Sequence, residues 1–121
     1  MEYVVRADLC ARVGIRLTDL LFHSGPEEFR ICGHMEAGPD YRGCPGVEPA
    51  VVVDLLDAAG RVLGSMRAWH QGLFSRLGFS TFCLSTKGLD TLWGRGAVCR
   101  VSLYVVLEEA EQGPVPSSRA E

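Results

Sequence analysis

From Tyr3 to Leu17 every odd-numbered residue is apolar: Tyr3, Val5, Ala7, Leu9, Ala11, Val13, Ile15 and Leu17. The residues between them, such as Arg6, Asp8, Arg12, Arg16 and Thr18, are mostly polar. Side chains alternate from face to face along a strand, whereas a helix would scatter such a set round its circumference. Residues 3–22 therefore read as one long strand, or as two strands joined at a kink near Gly14, because a glycine inside a strand marks a bulge or bend.

The same period of two recurs along the chain. After a turn at His23-Ser24-Gly25-Pro26, residues 28–37 place Phe29, Ile31, Gly33 and Met35 on one face and Arg30, Cys32, His34 and Glu36 on the other. Residues 38–49, half of them glycine or proline, read as a loop. Residues 50–56 and 61–69 read as a hairpin closed by Asp57-Ala58-Ala59-Gly60, where Gly60 supplies a positive φ. Residues 78–85 form a further strand, and 98–107 put Cys99, Val101, Leu103, Val105 and Leu107 on one face. Residues 71–77 have no clear pattern, and 86–96 are turn-rich with a single helical turn at 89–93. Six to seven short strands without a convincing helix predict an all-β fold, an antiparallel β-sandwich. One sheet of this length would leave its apolar face open, so two should pack together, about 10 Å apart. The 121 residues suffice for one domain, taken as 1–107, followed by a flexible, acidic, disordered tail at 108–121.

The charge sits mainly in that tail. Glu108, Glu109, Glu111 and Glu121 against Arg119 account for the whole net charge of −3, which leaves a neutral body. A neutral body lacks the basic footprint of a nucleic-acid binder. Val51-Val52-Val53 and Leu55-Leu56 are split by Asp54, so no apolar run spans a membrane. Five cysteines, Cys10, Cys32, Cys44, Cys83 and Cys99, form an odd set, and Glu2, Arg6 and Asp8 interrupt any apolar leader. Both features predict a cytoplasmic protein whose thiols act as small hydrophobes.

Three stretches resemble the small bacterial immunoglobulin-like sandwiches of FxLYD type: Phe29–Ala37, Val51–Gly64 with its Asp-x-x-Gly hairpin, and Leu77–Phe82. Leu56 stands where that family usually has tyrosine. The resemblance covers about half the chain and implies an immunoglobulin-like sandwich with a binding or structural role and no catalytic residues.

The reactive residues form no catalytic pattern. Cys32 and His34 share a strand face, and Cys10 and Cys44 would complete a metal set if their strands were neighbours, but no Cys-x-x-Cys is present and no metal or other cofactor is expected. His23, His34 and His70 have no nucleophile elbow near them, and Gly94-Arg95-Gly96 lacks the spacing of a phosphate cradle. Asp54 and Asp57 flank a hairpin, where aspartate bonds its own turn. Gly33, Gly64 and Gly78 either mark bulges or let a ligand approach the backbone. Tyr41, Arg42, Trp69 and Trp93 fall in loops or at strand ends, where they either plug the core or anchor an interface. The expectation is a non-enzymatic module for protein–protein binding or assembly, including a homodimer through an open edge strand. The alternative is a small-ligand carrier or enzyme with a cavity between the sheets.

Overall fold

A computed structural model describes residues 2–41, 46–69, 79–89 and 98–109. In chain order its elements are β1 (Glu2–Val5), α1 (Ala7–Val13), β2 (Ile15–Ser24), β3 (Phe29–Ala37), β4 (Val47–Leu56), β5 (Val62–Trp69), β6 (Phe79–Thr86) and β7 (Arg100–Glu109). They form an all-β sandwich of two sheets, ordered β1-β7-β4-β5 and β2-β3-β6. Every pairing is antiparallel except β1 with β7.

The alternation sets the register. Phe29, Ile31, Met35 and Phe82 from one sheet meet Val51, Val53, Leu55, Val101, Leu103 and Val105 from the other, all buried in one core. Each such side chain contributes about 1.5–3 kcal/mol when removed from water. A slip of one residue in any of these strands would turn its whole set outward, which fixes the pairing. The stacked rings of Tyr3 and Phe22, 4.0 Å apart, tie the edge strands β1 and β2 together across the sheets.

The β4–β5 connection forms as its sequence predicts. Gly60 has φ +87°, and its N–H donates to the Asp57 carbonyl at 3.0 Å. Asp57 Oδ1 accepts the N–H groups of Ala59 and Arg61, and Oδ2 accepts Arg61 Nε. These bonds, led by the Arg61 amide, hold the Asp57 carboxyl below its ordinary pKa.

Residues 7–13 correct the expectation of a continuous strand. They form α1, which buries Cys10 and half-buries Leu9 and Val13. Ala7 and Ala11 satisfy an alternation rule yet are good helix formers with little apolar surface to bury. Asp8 lies in the first turn and Arg12 in the last, each complementing the helix dipole. Gly14 stops the helix in the left-handed region at φ +77°. A side chain there would also meet the Tyr41 backbone at 2.8 Å. The kink expected at Gly14 is therefore a helix cap. Arg6 N–H donates to the Leu103 carbonyl at 2.8 Å, so α1 continues along β7 where β1 ends.

Two further expectations change. Cys32 and Cys83 form a disulfide, against the reading of all five thiols as unpaired. The cause is strand order: β6 returns beside β3 with Cys32 opposite Cys83, a neighbourhood that spacing along the chain does not reveal. Cys10 is buried and Cys99, just before β7, is exposed; Cys44 lies outside the described residues. Strand bounds also shift. β4 begins at Val47, inside the expected loop, and β7 runs on to Glu109. Pro49 is tolerated because β5 pairing begins only at Ala50, so β4 has one neighbour there. Residues 71–77, 90–97 and 110–121 lie outside the described residues. Among the described residues no helix is long and apolar enough to cross a membrane.

Candidate functional site

The two outer faces of the sandwich differ. On the sheet β1-β7-β4-β5, Ala50 and Val52 point away from the core and are nonetheless buried. Arg67 from β5 reaches Glu108 on β7 at 2.7 Å. Ser65 donates to Asp54 at 2.6 Å. The Tyr104 hydroxyl also bonds Asp54; burial first, then that carboxylate, raises its pKa. Ser102 Oγ is buried without a hydrogen-bond partner among the described residues.

The outer face of β2-β3-β6 is open, and its geometry starts at Gly33. A Cβ on Gly33 would lie 2.6 Å from Leu20 Cδ2, 3.1 Å from the Thr18 carbonyl oxygen and 3.2 Å from Phe82 Cε1. The missing side chain thus makes room for Leu20. No ligand is needed to explain this glycine, since it backs a bulge: the β2–β3 register shifts between Thr18 and Leu21. The bulge turns Leu20 inward and swings Asp19 outward at φ +52°, the one positive-φ residue other than glycine among the described residues.

Asp19 Oδ2 lies 2.9 Å from His34 Nδ1. Even a charged pair this exposed would contribute only about 0–1 kcal/mol, whereas a left-handed backbone costs about 1–3. The pair therefore does not hold the bulge open; the inward seat of Leu20 does, and the Asp19–His34 contact is a consequence. His34 also meets the Phe79 ring edge-on, with centroids 5.9 Å apart.

Around this pair lie two more carboxylates, each with its own cation. Glu36 accepts Arg16 at 3.0 Å and Thr18 at 2.9 Å. Glu28 accepts Ser85 at 2.7 Å and Arg30 at 2.9 Å, bonds that lower its pKa, with Ser85 the larger cause. The disulfide crosses the same face, with Leu21 opposite Cys32 on the β2 side and 71% exposed. Phe79 is 44% exposed.

The residues singled out in the sequence are dispersed or undescribed. Tyr41 is half-buried and packs against the core near Gly14. Trp69 ends β5, paired with Ala50. Arg42 and Trp93 lie outside the described residues. Cys32 and His34 do share a face, but the Cys32 sulfur is bonded to Cys83, and Cys10 sits in the core. Asp19, Leu21 and Phe79 were not among the candidates. No protein-family model matches this chain, and no curated protein or solved structure matches it above chance.

Proposed function

We propose that this chain is a non-enzymatic assembly module that adds a strand to the open edge of β6, the simplest partner being a second copy of itself. The carrying observation is the character of that edge. Among the described residues the strands at the sheet margins are β1, β5, β2 and β6. β1 has four residues; β2 is bulged and carries Arg16 and Asp19; β5 carries Arg67. β6 runs for eight residues, Phe-Ser-Thr-Phe-Cys-Leu-Ser-Thr, with no charge, proline or glycine. Short length, bulges and charges are the devices that protect an edge, and β6 has none of them.

The 4.1 Å separation of the Cys32 and Cys83 Cα atoms marks a narrow pair, whose residues do not exchange backbone hydrogen bonds. By alternation Phe79, Thr81, Cys83 and Ser85 send their N–H and C=O groups away from β3, toward an added strand. The alternative, a carrier or enzyme with a cavity between the sheets, is disfavoured by the space there being occupied by Phe29, Phe82, Ile31, Met35 and Leu103. Tyr41, Arg42, Trp69 and Trp93 are proposed as secondary contacts, since tyrosine, arginine and tryptophan serve as interface anchors.

The immunoglobulin-like relation is proposed at the level of the sandwich. Pairing of the third strand with the sixth is common to both, while β7 lies beside β4 where an immunoglobulin domain sets its seventh strand beside its sixth. The cytoplasmic expectation rested on unpaired thiols together with the charged residues that interrupt any apolar leader. With Cys32–Cys83 bonded, we infer work in a setting where a dithiol can oxidise.

Thr81→Pro removes an edge donor without touching a β3–β6 hydrogen bond. Sedimentation velocity at high micromolar concentration should show self-association of the wild-type chain and a monomer for Thr81→Pro, with the far-ultraviolet spectrum unchanged. A monomeric wild type, or a variant that associates equally well, would refute the proposal.

A further inference from the structure

We propose that the Cys32–Cys83 disulfide is a site of reversible exchange with low-molecular-weight thiols, and that the entering thiolate attacks the Cys83 sulfur. The bond lies on the open outer face of β2-β3-β6, joining residues directly opposite on adjacent strands, with Cys83 exposed and Cys32 half-buried. Its axis therefore runs across the strands. A thiolate displaces one sulfur of a disulfide along the line of the S–S bond, so access along that line decides which sulfur is struck.

The two approaches are unequal. The line into Cys32 comes over β2, where Leu21 stands opposite Cys32 on the same face. Leu21 occupies that place because of the bulge: after Asp19 the parity of β2 changes, and Leu20 turns in while Leu21 turns out. The line into Cys83 comes over the margin of β6, which pairs with no strand beyond it among the described residues. The sheet thus shields one sulfur and presents the other.

The chemistry balances with the thiol as the only co-reactant. The thiol, RSH, releases its proton to water. A new bond forms between the RS sulfur and Cys83 Sγ. The Cys32–Cys83 bond breaks, and its electron pair leaves on Cys32, which takes up a proton when the medium allows. A second RSH attacks the mixed disulfide, giving RSSR and two protein thiols. The reverse reaction with RSSR restores the bond. The inference does not rest on edge assembly, because it needs only an accessible Cys83 in the monomer.

The test uses the full chain, dilute, purified in air, with reduced glutathione as probe. The reaction is quenched at early times with N-ethylmaleimide and mapped after trypsin, which places Cys32 in peptide 31–42 and Cys83 in peptide 77–87. The expected result is glutathione on Cys83 in about tenfold excess over Cys32, with maleimide on Cys32. Leu21→Ala, a change at an exposed side chain, should bring the ratio toward one. Glutathione mainly on Cys32, or a ratio indifferent to Leu21→Ala, would overturn the assignment. So would maleimide labelling of both cysteines before any thiol is added, or exchange that proceeds only as fast as the chain unfolds in urea.

Discussion

Gly33→Ala tests the origin of the bulge. Nothing in the backbone forbids alanine there, since the positive-φ glycines are Gly14, Gly46 and Gly60. In the unfolded chain alanine should even help, by about 0.4–1 kcal/mol of conformational entropy. Packing decides against it. Carbon atoms normally rest about 3.5–4.0 Å apart. The new methyl would stand 2.6 Å from Leu20 Cδ2 and 3.2 Å from Phe82 Cε1. Phe82 is fully buried and has nowhere to go, and the Thr18 carbonyl at 3.1 Å is backbone. Leu20 must yield, and with it the turn that carries Asp19. Overpacking of this kind costs about 1–3 kcal/mol, so the net loss should be about 1–2 kcal/mol. Urea unfolding should show a lower midpoint at unchanged slope. The second arm is Leu20→Ala, which removes the clashing carbon. In the double variant the added methyl enters vacated space, so the combined loss should fall short of the sum by about 0.5–1 kcal/mol or more. Wild-type stability for Gly33→Ala, or strict additivity with Leu20→Ala, would refute the account of the bulge.

Three other outcomes are expected. Asp57 has a lowered pKa in the folded chain, so its bonds stabilise the fold above the ordinary aspartate range and are lost as pH falls through the lowered value; Asp57→Ala should flatten that acid limb in urea titrations at stepped pH, and an unchanged limb would exclude Asp57 as its source. The disulfide joins residues 51 apart, so reduction should lower the unfolding free energy by up to about 4 kcal/mol on the chain-entropy account, read as a drop in the urea midpoint with dithiothreitol; an unmoved midpoint would mean that the bond does not constrain the unfolded chain. Burial first of all raises the Cys10 thiol pKa, while Cys99 is exposed, so iodoacetamide should label Cys99 well before Cys10 in the native chain; equal rates would contradict the seat of α1 against β7.

The sandwich was legible because period-two patterning states both element type and inward face, and Phe29, Ile31, Met35, Val51, Val53, Val101 and Leu103 all went where parity sent them. The helix escaped because Ala7, Leu9, Ala11 and Val13 satisfy parity by accident. The competing signal was present in Asp8, Arg12 and Gly14, the charges and the stop of a short helix. The bulge was also written in the sequence. Apolar residues fall on odd positions up to Leu17 and on even ones at Leu20 and Phe22, and a change of parity within one strand requires an extra residue. The disulfide was not legible, since it depends on β6 settling beside β3, a choice of strand order that alternation leaves open. The aromatic candidates rested on loop position, and for Tyr41 the structure shows a side chain half-buried against the core.

The open face also says how a partner is held. Its arginines sit beside carboxylates on the same face, Arg16 with Glu36 and Arg30 with Glu28, and His34 lies against Asp19. Paired charges cast little field beyond the first few ångströms, and the Debye length at physiological salt is about 8 Å. Such a face cannot draw in a charged partner from a distance. What it offers is Leu21, Phe79 and the backbone margin of β6, which has no strand neighbour beyond it among the described residues. Association through these groups should therefore be nearly indifferent to salt, since neither apolar contact nor backbone pairing depends on screening, and rim charges chiefly govern rate and salt response. The dissociation constant, measured by sedimentation equilibrium, should change by less than about threefold between low and physiological salt. A steep weakening with salt would mean that the partner displaces the internal ion pairs and binds the charges instead. Arg16, Arg30 and their carboxylates would then replace β6 as the surface that decides recognition.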